Sequence, residues 1–202
     1  SWDADGLPVF DPGYLPLFVH ELCHSYTNPF VDRFEAALEP ALARIYATSE
    51  TTMARQAYSS WKTVAYESLV RASVVRCLAV TEGAAAAEAQ ARDEVAHGFR
   101  WVPALAQRLG AFEGQRERYP AFADFMPEVV RFFEEHAETA EKAAAATPKL
   151  VSIEPANGAT GVDPALQRML LTFDREMRPG GWSIVGRPED QPEIAGTLAF
   201  DA

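Results

Sequence analysis

From Tyr14 to about Ala146, apolar positions recur at spacings of three and four, the period of a helix face. Short polar or proline-bearing runs interrupt them: TNP, TSETT, TEG, RWVP and ERYP. The segment VDRFEAALEPALARIYA predicts a helix with Asn28 as its N-cap and Pro29 at its first position. WKTVAYESLVRASVVRCLAV is apolar on more than one side, which predicts a central helix. The alanine-rich TEGAAAAEAQARDEVAHG predicts an exposed scaffold helix. In AFADFMPEVVRFFEEHAETAEKAAAA, the residues Phe122, Phe125, Val129, Phe132 and Phe133 form one apolar stripe, suited to core packing.

Near Pro148 this pattern ends. Proline and glycine turns, ANGATG among them, flank the short β-like runs LVSI and MLLTF. Two domains are expected, a helical one over 1–147 and an all-β one over 148–202. The second has about 55 residues, where a β-sandwich takes about 100, so an incomplete sandwich is expected.

Charge narrows the function classes. The net charge is −11, which argues against a chain that holds nucleic acid through its phosphates and leaves peptide-like partners open. No apolar run is long enough for a transmembrane segment, and the first residues, SWDADG, lack the layout of a signal peptide. If the protein is exported, its leader is expected to lie outside this sequence.

The densest chemistry lies in FVHELCHSYTNPFVDRF, where His20, Glu21 and His24 fit H-E-x-x-H. On a helix, residues four apart stand one turn above each other, so two imidazoles can face one metal while the glutamate reaches a water bound there. That arrangement suits metal-assisted hydrolysis, with zinc polarising a carbonyl and Glu21 as general base.

Such a site needs a third protein ligand. A metzincin would carry glycine and then histidine or aspartate shortly after His24, and Pro29 and Phe30 occupy that region, which excludes the pattern. Glu67 falls on the otherwise apolar stripe Val64, Glu67, Arg71, Val74, Leu78, and a buried carboxylate there requires a metal, Arg71 one turn on, or both. Arg71 can equally orient Glu67 as a ligand. Asp32, Glu35, Glu39, His97 and His136 remain alternatives, Asp32 being also explained as a first-turn acid. For an oxyanion-stabilising group the candidates are Tyr26, Tyr66, His97 and Tyr119, and the sequence does not choose among them. Two cysteines are too few for a disulfide framework. With Glu67 beside His24, Cys77 would stand about 15 Å further along its helix, so no bridge to Cys23 is expected.

In the blocks HELCHSYTNP, YESLVRA, GFRWVPAL and YPAFADFMPEVVRFF, the chain resembles the bacterial DUF4932 family of zincin-like metallopeptidases, over about residues 10–140. The resemblance implies zinc on His20 and His24, Glu21 as general base and, through the E-x-x-x-R-A block, Glu67 as third ligand. Cys23 stands where such motifs often carry serine or a small apolar residue. Zincins place a mixed sheet before the active-site helix; only 19 residues precede His20, room for a scrap such as LPVF. The tail VSIEPANGATGVDPALQRMLLTFDREM resembles bacterial Ig-like repeats, which implies a secreted or cell-envelope location.

The expected fold is mainly α, a zincin-like helical metallopeptidase domain followed by a partial Ig-like sandwich. The expected activity is zinc-dependent hydrolysis of a peptide or protein substrate. The rival is an inactive envelope binding or structural protein on the same fold. A Glu67 turned away from the histidines towards Arg71 alone would favour that rival.

Overall fold

The computed structural model describes residues 2–9 and 12–177. They divide into two compact units, with the boundary between Ala145 and Ala146. The first is helical. After a 3-10 turn at Pro12–Tyr14 come α1 (Leu15–Arg33), α2 (Glu35–Ala54), α3 (Trp61–Thr81), α4 (Ala84–Ala96), α5 (Val102–Gly114) and α6 (Phe122–Ala146). Among the described residues, no helix is long and apolar enough to cross a membrane.

The α3 helix is the centre of this unit, with α1, α2, α4 and α5 packed around it. Its sequence explains the placement, since Val64, Ala65, Leu69, Val70, Ala72, Val74, Val75 and Leu78 cover several sides of the helix and are all buried. Ser60 caps its N-terminus, its hydroxyl accepting from the Thr63 N–H at 3.2 Å. The expected phenylalanine stripe on α6 is inward-facing: Phe125, Val129, Phe132 and Phe133 are buried. Trp101 donates its indole N–H to Ser68 at 2.8 Å, so the one polar side chain fully buried on α3 is satisfied.

The expected helix start at Asn28 and Pro29 is overturned. α1 runs straight through both residues to Arg33, and the break falls at Phe34. A proline inside a helix removes the hydrogen bond to the carbonyl four residues back. Here Ser25 and Pro29 both lie on the exposed side of α1, so water can take the partner's place. TSETT is likewise no break, because α2 continues to Ala54.

Gly98, between α4 and α5, has φ +94°, and a Cβ built on it would lie 2.6 Å from Thr52 Cγ2 on α2. Replacing Gly98 with alanine therefore adds left-handed strain to a collision and should cost about 2–4 kcal/mol in urea unfolding. A cost within ~0.5 kcal/mol, the range of neutral surface changes, would refute this account.

In the second unit, β1 (Leu150–Glu154) pairs antiparallel with β2 (Leu170–Phe173), Ile153 opposite Leu171, with an irregularity between Leu150 and Ser152. Lys149 and Asp174 close the pair through their backbones and the Asp174 carboxylate. Both β-runs expected from the sequence are strands, and they form a single two-stranded sheet among the described residues. The remainder of the expected sandwich, residues 178–202, lies outside those described.

Candidate metal centre

His20 and His24 stand one turn apart on α1, on the side that packs against α3. Burial of Thr27 and Val31 fixes that orientation. Glu67 projects from α3 into the same space, buried as its place on the apolar stripe predicts. The two Nε2 atoms are 3.2 Å apart; His24 Nε2 is 3.5 Å from Glu67 Oε1 and His20 Nε2 is 3.6 Å from Glu67 Oε2. One ligand atom from each residue lies within 4.8 Å of the others.

These separations fit a cation. Metal–ligand bonds of about 2.0–2.1 Å at tetrahedral angles put neighbouring ligand atoms about 3.3 Å apart. The donor set, two imidazoles and a carboxylate, is one that zinc accepts. Asn28 supports it, its Oδ1 lying 3.3 Å from His24 Nδ1. With Nδ1–H donating to that oxygen, the Nε2 lone pair is left facing the cluster. Burial holds the His20 pKa below its ordinary value against the raising influence of Glu67, so this imidazole favours the neutral form a metal ligand requires.

Around Glu67 lies a polar network that the sequence reading captured only at Arg71. Arg71 donates through Nε to Glu67 Oε2 at 3.1 Å, through Nη1 to Glu94 and through Nη2 to the Tyr58 hydroxyl at 2.9 Å. Tyr58 in turn donates to Glu67 Oε2 at 3.3 Å. Glu94, nearly fully buried on α4, also accepts from Gln90 at 2.7 Å. Burial disfavours the Arg71 charge, but the Glu94 carboxylate outweighs it and holds the guanidinium pKa above its ordinary value. The Tyr58 pKa is raised by burial and by Glu67, which keeps the phenol protonated. Two buried carboxylates, Glu67 and Glu94, thus face one guanidinium, and the cluster has room for further positive charge.

The other candidates lie elsewhere. Asp32 pairs with Lys62 and Tyr66, and Glu35 with Lys62. Tyr119 donates to Glu128, His97 contacts Asp93, and Tyr26 is exposed. His136 stacks on Phe132, its pKa lowered by burial. Tyr58, absent from the expected phenols, is the one in contact with the cluster.

Both cysteines are free. Burial raises the Cys23 pKa, and Cys77 adds to the rise while a Ser73 hydrogen bond opposes it.

Glu21 is solvent-exposed beside His20, and around it the outer side of α1 carries the exposed apolar residues Leu17, Leu22 and Tyr26, with exposed Tyr14 just ahead of the helix.

No curated protein and no solved structure matches the chain. A family model described as a domain of unknown function, DUF4932, matches residues 4–132, a stretch that takes in α1 to α5, every residue of the His20, His24 and Glu67 cluster and the network behind it, and the chain belongs to that family.

Proposed function

We propose that the chain is a zinc-dependent metallopeptidase, with His20, His24 and Glu67 as metal ligands and Glu21 as general base. The observation that carries this reading is the meeting of two imidazole nitrogens and a buried carboxylate at metal-ligand spacing, with an exposed carboxylate next to the first histidine. Glu67 faces both histidines as well as Arg71, rather than Arg71 alone, the arrangement that would favour the inactive rival.

Zinc, when bound, would polarise the scissile carbonyl and lower the pKa of a water towards neutrality. The chain's own residues supply the rest. Glu21 takes a proton from the attacking water as its oxygen bonds to the carbonyl carbon, and returns it to the amine as the C–N bond breaks. Asn28 and Arg71 hold His24 and Glu67 in place during both steps. The apolar side chains on the outer side of α1 offer contact to those of a peptide beside the reacting bond. We take the segment that starts near Pro148 as Ig-like, supported by the antiparallel pair of β1 and β2, and by analogy place the protein in the cell envelope or outside the cell.

Metal content by mass spectrometry on protein purified without chelators tests the reading. About one zinc per chain is expected in the wild type and a near-complete loss in His24→Ala and Glu67→Ala, consistent with a three-ligand site. A wild type that stays empty after reconstitution would overturn it.

A further inference from the structure

The histidines and Glu67 leave open how many positions the protein itself fills, because a carboxylate can bind through one oxygen or two. We infer that Tyr58, Arg71 and Glu94 are positioning residues that restrict Glu67 to one metal-facing oxygen, Oε1, and so keep a coordination position free for substrate. This inference rests on the metal reading above.

The argument begins with lone pairs. Each oxygen of an ionised carboxylate has about two acceptor sites. On Oε2 both are taken, by Arg71 Nε at 3.1 Å and by the Tyr58 hydroxyl at 3.3 Å. Among the described residues none donates to Oε1, which is the oxygen nearest His24 Nε2, at 3.5 Å. Oε2 lies 3.6 Å from His20 Nε2, close enough to join a metal once its donors are removed.

The donors themselves are held from several sides. The guanidinium of Arg71 bonds Glu94 through Nη1 and Tyr58 through Nη2, so the fork cannot turn from Glu67 without breaking both. Its flat face lies 4.4 Å from the centre of the Phe99 ring, which closes off rotation on that side. Glu94 is fixed by Gln90 from one turn earlier on α4. Side chains from α3 and from the segment between α2 and α3 therefore converge on a single carboxylate oxygen, and Glu94 of α4 anchors the guanidinium that bonds it. A purely structural ion pair would have no need of the tyrosine, whose hydroxyl accepts from Arg71 and donates onwards to Oε2.

Cobalt(II) in place of zinc reports coordination number, since four-coordinate cobalt absorbs visible light far more strongly than five-coordinate cobalt. The experiment titrates cobalt(II) into metal-free wild type, Tyr58→Phe, Arg71→Lys and Glu94→Gln, following the visible spectrum and the affinity against a competing chelator. Circular dichroism checks folding, and Tyr58→Phe, which removes a single oxygen atom, keeps the test available if the charge variants unfold. The wild type should give the intense four-coordinate spectrum. The variants should show weaker absorption as Oε2 joins the metal, with affinity reduced about 10–100-fold. A folded Tyr58→Phe protein with wild-type spectrum and affinity would overturn the inference while leaving the metal reading intact. A wild type that binds no cobalt would overturn both.

Discussion

Glutamine in place of Glu21 is expected to leave zinc content at the wild-type level and to slow peptide hydrolysis by about 10²–10⁴-fold, the usual contribution of a positioned general base. The substitution keeps size and hydrogen-bonding reach but removes the ability to accept the water's proton. Glu21 is exposed and bears no core load, so fold and metal should survive. This separates Glu21 from His24, whose loss should empty the site. The measurement is turnover of a peptide library by wild type and variant, with metal content determined on the same samples. Equal turnover in zinc-loaded wild type and Glu21→Gln would remove Glu21 from the mechanism.

Alanine in place of Phe99 is the change expected to cost most stability. Phe99 is fully buried, with Tyr58 at 5.8 Å and Trp101 at 5.5 Å between ring centres and Arg71 above its face. Truncating such a phenylalanine costs about 3–5 kcal/mol through lost burial and the cavity left behind. At about 2–4 °C per kcal/mol for a chain of this size, Tm should fall roughly 6–20 °C. Phe99→Leu, which refills part of the space, should lose much less. Thermal unfolding followed by circular dichroism decides the matter, and a Phe99→Ala protein that melts within ~2 °C of wild type would mean the site collapses without cost.

The helices were legible where an element's own periodicity determined its burial. α3 could be read as central because apolar residues cover more than one side of it, and Glu67 stood out as an acid written into that pattern. His20 and His24 could be paired because helical geometry alone puts them on one face. What was misread depended on tertiary context. Pro29 looks like a helix start in any local reading, yet the side of α1 on which Ser25 and Pro29 lie is set by packing against α3. Asn28 has the chemistry of a cap in any local reading, yet its spacing of four from His24 puts its amide beside that imidazole. Glu94 sits among the acids Glu88 and Asp93 on an alanine-rich helix, and only the approach of α4 to α3 singles it out as buried. Tyr58 lies just outside any helix, where periodicity carries no information.

The two imidazoles come from α1 and the carboxylate from α3, helices separated in sequence by the whole of α2. A cation shared between them is therefore also a reversible cross-link that closes a long loop. By mass action such a ligand stabilises the folded chain by about 4 kcal/mol when free metal exceeds its dissociation constant a thousandfold. If the proposed site binds its cation, the docking of α1 would answer to the metal supply. On the same proposal, a metal-poor compartment would leave α1 less firmly held and the chain more open to proteases.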